Sequence, residues 1–277
     1  MTQKFYKYQG AGNDFLIADN RDGALCLTQE QIAALCDRRY GVGADGLMFL
    51  EHSDMYDFRM VYYNSDGSGG MMCGNGGRCI VAFAADMGIT HFDFEAADGF
   101  HTADVLSSDG GEKVVSLKMK DVTICDRYES LSGVAVPSDG YFLDTGTRHY
   151  VRFVGGLDGY DVVAEGREIR WEAEELKPIG ANVNFVEPGE CVVKVRTYEK
   201  GVEDETFACG TGIVASCIAA FRAGVRPTEQ NGDVVRYDVK AKRDSLSVSF
   251  IPDAETVAKD VYLTGPAVFV AEIMVSL

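Results

Sequence analysis

No run of apolar residues in this 277-residue chain approaches the ~20 that a membrane-spanning helix needs. The opening stretch, MTQKFYKYQGAGND, lacks the apolar core of a secretory signal. None of the eight cysteines stands in a Cys-x-x-Cys pair. The close pairs are Cys26/Cys36, Cys73/Cys79 and Cys209/Cys217, at spacings of 10, 6 and 8. That pattern excludes a zinc ribbon and a disulfide-stapled mini-scaffold, and no metal site is expected. Positive charge is also scarce: 26 Lys and Arg stand against 43 Asp and Glu, a net charge of −17. An acidic chain repels nucleic acid and anionic membranes, so neither is expected as a partner. Low-complexity segments and long linkers are absent. These absences lead us to expect a cytoplasmic protein with reduced thiols. The chain is long enough for two domains of ordinary size, and its 46% hydrophobic content suits a packed core.

What the chain does have is glycine, 31 residues, and a repeat built on it. Residues 73–88 read CGNGGRCIVAFAADMG, and residues 209–224 read CGTGIVASCIAAFRAG. Each begins Cys-Gly-x-Gly, continues as a small apolar helical pattern and closes on Gly after 15 residues. The closing Gly suits the C′ position of a helix. Glycines at the start let backbone N–H groups approach a ligand closely. Each Cys then lies at the positive end of a helix dipole, where thiolate is favoured over thiol. A lone Cys is most often a small buried hydrophobe. Two copies at matched helix starts favour a catalytic reading, because an internal repeat outranks single-residue signals.

The rest of the pattern is strand-rich. Residues 3–9 and 14–19 read as strands joined by Gly10-Ala11-Gly12-Asn13, where Asn13 is either a turn-former or an amide offered to a ligand. Thr28 and Gln31 form a capping box for a helix through about Arg39. Strands follow at 47–50 and 56–63, and then the polar loop Asn64-Ser65-Asp66-Gly67-Ser68-Gly69-Gly70, a candidate binding loop. Further strands are expected near 91–96, 100–106, 113–119, 141–144, 149–154, 182–186 and 192–198, with a short helix at about 161–170. Three or four strands follow the second repeat. The fold class is α+β, in two pseudo-symmetric halves, each a curled, mostly antiparallel sheet around one central helix. The halves are residues 1–120 plus 264–277, carrying Cys73, and residues 121–263, carrying Cys209. The apolar segment Val268 to Val275 needs a sheet to join, which returns the C-terminus to the first half.

If a pseudo-two-fold axis relates the halves, their helix starts point at one shared cleft. Two thiols would then flank a small carboxylate substrate held by backbone N–H groups. One thiolate can remove an α-proton while the opposite thiol returns one to the other face, inverting a stereocentre by general acid–base catalysis.

The chain resembles the diaminopimelate epimerase family. The matching motifs are GAGNDF (10–15), NSDGS (64–68), CGNGGRC (73–79), NVNFV (182–186), RTYEKG (196–201), ACGTG (208–212) and LTGPAV (263–268). The resemblance implies a cofactor-independent (PLP-independent) isomerase interconverting LL- and meso-2,6-diaminopimelate, in bacterial lysine and peptidoglycan-precursor synthesis. It implies Cys73 and Cys209 as the acid/base pair, with His149 and Glu199 tuning them. It places Asn13, Asn64, Asn75, Asn182, Glu199 and Lys200 around the substrate, with Gly74, Gly210 and Thr211 donating backbone N–H groups. It also implies a homodimer. Read alone, His149 suits a satisfied strand histidine, Glu199 and Lys200 a solvated turn, and the asparagines turn or cap chemistry.

Four departures from the family's usual pattern stand out. Lys200 stands where Arg is frequent, keeping the charge without the bidentate fork. Thr147-Arg148 stands where Asn-Pro often precedes the His. Gly46 replaces a Gln of some members, and Ala271 replaces a Tyr that supports the dimer in some. A second reading is a two-thiol enzyme similar to proline racemase or hydroxyproline epimerase; the asparagines with Glu199-Lys200 favour a substrate with a distal ammonium and carboxylate, which proline lacks. A third is a non-enzymatic redox or metal-binding protein, which leaves the paired Gly-x-Gly helix starts unexplained.

Overall fold

The computed structural model describes residues 2–70, 72–136 and 139–277. The chain divides into two compact units, Met1–Lys118 with Thr264–Leu277, and Met119–Leu263. The first contains β1 (Thr2–Gly10), β2 (Asn13–Asp19), α1 (Gln29–Cys36), β3 (Gly46–Glu51), β4 (Phe58–Asn64), α2 (Gly74–Asp86), β5 (Asp93–Ala96), β6 (Gly99–Asp109) and β7 (Glu112–Lys118). The second contains β8 (Ile124–Tyr128), β9 (Gly140–Asp144), β10 (Arg148–Phe153), α3 (Val162–Glu172), β11 (Asn182–Pro188), β12 (Val193–Glu199), β13 (Asp204–Thr206), α4 (Gly210–Arg222), β14 (Glu229–Asn231), β15 (Val234–Lys240) and β16 (Ser245–Asp253). The last strand, β17 (Val257–Ser276), serves the second unit up to Leu263 and the first from Thr264. The α+β class expected from the pattern is the one observed.

In the first unit the strands form a closed ring. β1 pairs with β2, β2 with β3, and so on to β7, which pairs with β17, and β17 returns to β1. Only β2–β3 and β4–β5 are parallel. Closure removes every sheet edge from the ring. Helix α2 runs inside it, and every residue from Gly74 to Ala84 is buried. Ile80, Val81 and Phe83 are fully buried, each contributing about 1.5–3 kcal/mol. Gly76 lies against Met48, Met60 and Phe15, and a Cβ on Gly77 would sit 2.7 Å from Leu117 Cδ2. Small residues at the helix start therefore let the barrel wall close around it. On the outer face, Phe5, Leu16, Ala18, Leu47 and Phe49 pack with Ile32 and Leu35 of α1. β2 is thus buried on both faces, which is why Phe15 to Ala18 is an unbroken apolar run.

The second unit repeats the plan. Its sheet runs β8–β9–β10–β11–β12–β15–β16, with β13 added to β12 and β14 to β15. Its first residues join the early part of β17, where Met119 N–H donates to Val261 O at 2.8 Å. Strands β9 to β12 and β16 pack on α4, and α3 packs on the opposite face of β11 and β12. Val183 and Phe185 face α3 with Ile169 and Leu176. Asn182 and Asn184, on the alternate positions, face the other way.

Both central helices end alike. Gly88 (φ 85°) and Gly224 (φ 80°) are left-handed C′ residues. Ile89 N–H donates to Ala84 O and Val225 N–H to Ala220 O, closing a Schellman motif on each. Three expectations need correction. α1 keeps its Thr28/Gln31 capping box but stops at Cys36 rather than near Arg39. The Asp37 carboxylate accepts from the N–H groups of Arg39 and Tyr40 at 2.7 and 2.6 Å, closing a turn that competes with the helix. β8 and β13 are strands that the pattern did not mark, because short polar stretches gain strand geometry from their partners. Among the described residues no helix is long and apolar enough to cross a membrane.

Candidate active site

Cys73 and Cys209 are the N-cap residues of α2 and α4, both with extended backbone (φ −110° and −101°). Each carbonyl accepts the first intrahelical bond, from Gly77 at 2.7 Å and from Ile213 at 2.9 Å. Neither side chain caps its own helix. The first N–H groups of any α-helix lack intrahelical partners. Gly74 and Asn75 in one unit, and Gly210 and Thr211 in the other, therefore present backbone donors beside a sulfur.

Around Cys73 the first unit places Asn13, at the start of β2, with Oδ1 3.8 Å from Sγ. The Asn13 amide is fixed from behind: its Nδ2 donates to Asp45 Oδ2 at 2.6 Å. Arg38 bridges Asp45 and Asp14, and Lys7 adds a second cation on Asp14 at 2.9 Å. Although burial opposes it, these two cations hold the Asp14 carboxyl below the usual range. Asn75, on α2, is buried, and its Oδ1 accepts from the fully buried Arg78 at 3.0 Å. Asn64 ends β4 in an exposed turn, with Nδ2 donating to Ser68 Oγ at 3.0 Å.

The second unit gathers its candidates into one network. Thr211 Oγ1 lies 3.5 Å from Cys209 Sγ and 3.0 Å from His149 Nε2. Thr147 Oγ1 lies 2.9 Å from the same Nε2. Asn182 Nδ2 donates to Arg148 O at 3.1 Å, while its Oδ1 accepts from the Lys200 N–H at 2.8 Å. Asn182 thus pins the turn that carries Lys200, just after Glu199 closes β12. His149 is wholly buried, and burial pushes its pKa down to about 3, assisted by the Lys200 charge. The imidazole is therefore neutral throughout the physiological range and is a donor–acceptor, not a base. Among the described residues no group of three or more His, Cys, Asp or Glu side chains is placed to hold a metal ion.

Two helix-start thiols, each beside backbone donors, one facing an anchored amide and the other a hydroxyl, have the parts for proton transfer at an acidic carbon next to a carboxylate. A family model described as diaminopimelate epimerase matches residues 5–124 and 141–270. The chain belongs to the diaminopimelate epimerase family. Curated relatives named diaminopimelate epimerase include one from Chlorobaculum tepidum, 44% identical over 263 residues covering 93% of this chain and 95% of the relative. Another, from Flavobacterium psychrophilum, is 42% identical over 276 residues, covering 97% and 98%. Solved structures share the fold. A PhzF-family phenazine biosynthesis protein from Bacillus anthracis superposes with TM-score 0.75 at 18% identity over all of both chains. A hydroxyproline epimerase from Agrobacterium vitis gives 0.71 at 15%, over 100% of this chain and 93% of that one. At those identities the likeness is one of fold alone.

For this member of the diaminopimelate epimerase family, sequence reasoning missed the residues behind the candidates: Asp45, Asp14, Arg38 and Lys7 in one unit, Asn184 and Thr197 in the other. Asn184 carried a usable signal. It lies two residues from Asn182 on one strand, and a period of two puts both on the same face. Asp45 carried none, since its bond to Asn13 spans 32 residues of chain.

Proposed function

We propose that this chain is a cofactor-independent isomerase that interconverts LL- and meso-2,6-diaminopimelate, using Cys73 and Cys209 as its acid–base pair. The observation that carries the reading is the repeated Cys N-cap on two buried, glycine-started helices, within the family's motifs. One thiolate takes the α-proton. The electron pair left on carbon delocalises into the neighbouring carboxylate, whose growing charge is met by helix-start N–H groups of Gly74, Asn75, Gly210 and Thr211. The opposite thiol then gives its proton to the other face. The first unit supplies Cys73 and the second supplies Cys209.

Lys200 and Glu199 bind the distal carboxylate and ammonium in this reading, with Asn64 contacting the substrate from its turn. Asn13 and Asn182 act by holding a neighbour, the Cys73 thiol and the Lys200 turn respectively. His149 acts on Cys209 through Thr211. The deciding experiment is NMR detection of deuterium entering the α-position, with LL-diaminopimelate and proline tested side by side. Exchange and epimerisation of diaminopimelate alone are expected; turnover of proline alone would overturn the assignment.

We propose that the reaction serves lysine and peptidoglycan-precursor synthesis in the cytoplasm, where thiols stay reduced. Quantitative alkylation of the thiols is expected when fresh lysate is denatured in the presence of the reagent, and native disulfides would count against that compartment. We also propose a homodimer, supported by the exposed apolar side chains of Val270 and Met274 flanking Ala271 on β17. Sedimentation velocity is expected to give twice the chain mass of 30.1 kDa, and a monomer at micromolar concentration removes the dimer.

A further inference from the structure

Behind Cys209 lies a hydrogen-bond chain whose direction can be read from its buried end. Asn184, fully buried on β11, donates from Nδ2 to Tyr150 O at 3.3 Å, and its Oδ1 accepts from Thr197 Oγ1 at 2.9 Å. A backbone carbonyl only accepts, so the amide orientation is fixed. The same Nδ2 lies 3.0 Å from His149 Nδ1, which must therefore be the unprotonated nitrogen. A neutral imidazole carries one N–H, and here it is on Nε2. That proton faces Thr147 Oγ1 at 2.9 Å and Thr211 Oγ1 at 3.0 Å, and the two hydroxyls are 3.3 Å apart. If Nε2–H goes to Thr211, the Thr211 hydrogen is left for Thr147 Oγ1 3.3 Å away or for the sulfur 3.5 Å away, and a charged sulfur is the stronger acceptor of the two. If it goes to Thr147, the Thr147 hydrogen passes to Thr211, with the same result.

Gly212 confirms how closely this chain is fitted to the helix. A Cβ there would lie 2.3 Å from Asn184 Oδ1 and 3.2 Å from His149 Cε1. Its backbone φ is not in the left-handed region, so it is clearance for these two side chains that calls for glycine.

We infer that Asn184 is a positioning residue that, acting through a neutral His149, turns the Thr211 hydroxyl hydrogen onto the Cys209 sulfur and holds that sulfur as thiolate. The inference rests on Cys209 being one of the two acid–base thiols. A hydroxyl donor stabilises the charged acceptor more than the neutral one. The burial that keeps His149 uncharged preserves it as a donor. On the strands packed against α4, Tyr141 of β9 and Glu199 at the end of β12 share the face of His149 and Asn184, and Lys200 follows just beyond β12; Asp144 of β9, Arg148, Tyr150 and Arg152 of β10, Glu187 of β11 and Lys194, Arg196 and Tyr198 of β12 lie on the alternate positions. Cys217 lies two turns along α4 itself, and Arg222 ends it. β11 contributes the uncharged Asn182 and Asn184 to this face. β16 meets α4 at Phe221, through Phe250, and its acidic Asp253 ends the strand.

The test is the pH dependence of thiol alkylation by iodoacetamide in the full-length protein without substrate, with Cys209 and Cys73 followed separately by peptide mass spectrometry. Asn184→Asp keeps the shape but offers only acceptors, so the proton moves to His149 Nδ1 and Nε2 becomes an acceptor that draws the hydroxyl hydrogen away. Thr211→Val removes the hydroxyl while keeping the backbone N–H. In both, the Cys209 midpoint is expected to rise by about one pH unit, which is about tenfold slower alkylation below the midpoint. Thr211→Ser is expected to keep the wild-type Cys209 midpoint, and the Cys73 midpoint should not move in any variant. An unchanged Cys209 midpoint in Thr211→Val overturns the inference, as does an equal shift at Cys73. If Asn184→Asp does not fold, Thr211→Val with its Ser control decides. Alkylation needs no diaminopimelate, so failure of the relay and failure of the proposed reaction are read independently.

Discussion

Replacing either Cys73 or Cys209 by Ser is expected to abolish epimerisation, with losses of about a hundred- to ten-thousand-fold, the range that positioned acid–base groups contribute. Serine keeps the shape and a hydroxyl, but its oxygen is far less acidic than a thiol and makes a poor base at neutral pH. Inversion needs a proton removed from one face and returned to the other, so a single remaining thiol cannot complete it. It can still perform a one-sided reaction. Each variant is expected to eliminate halide from a β-halogenated analogue, since elimination needs one base on one face, and the two variants should prefer opposite stereoisomers. The measurement is α-proton exchange and stereochemical outcome in deuterated solvent for each variant against wild type. Near-normal epimerisation by either would falsify the two-base mechanism.

The second large effect is expected at Lys200. If its ammonium binds the distal carboxylate, Lys200→Ala removes a charge-assisted hydrogen bond worth about 1.5–3 kcal/mol, or roughly ten- to a hundredfold in KM. The group lies away from the reacting carbon in this reading, so kcat should change little. Lys200→Arg should retain most activity, because the charge stays on a turn that Asn182 Oδ1 holds through the backbone N–H. One side effect has a known sign. The Lys200 charge is the lesser cause of the low His149 pKa, after burial, so its removal lets that pKa rise while burial still keeps the imidazole neutral near pH 7. Steady-state kinetics of both variants decide the matter. A fall in kcat at unchanged KM in Lys200→Ala would move Lys200 from binding into the chemistry.

Taken together, the two thiols have unlike surroundings. Cys73 faces an amide oxygen anchored by the Asp45, Arg38 and Asp14 ion cluster. Cys209 faces a hydroxyl backed by neutral imidazole and amide groups. A repeat in sequence has therefore kept the helix and the thiol while the side chains behind them diverged. Salt screens exposed ions such as Arg38 but leaves buried neutral dipoles largely untouched.

The sequence by itself determined the α+β class, the two central helices with their Cys starts and Gly ends, and the family. Those features are local: caps, glycines and the helical spacing of small apolar residues act within one or two turns. It also determined which of the candidate side chains stand in the family's motifs. Tertiary structure alone decided how the strands close into a ring around α2, because ring closure joins β17 to β7 and β1 across some 150 to 270 residues. It alone decided that Asp45 holds Asn13, that Arg78 is buried against Asn75, and that His149 reaches Cys209 through Thr211. Those pairings depend on strand register: His149 lies beside Asn182 and Val151 beside Asn184 in the parallel β10–β11 pair. A slip of one residue would turn both asparagines to the α3 face. Register is set by the whole apolar pattern of both strands at once, so no single motif in the chain could announce it.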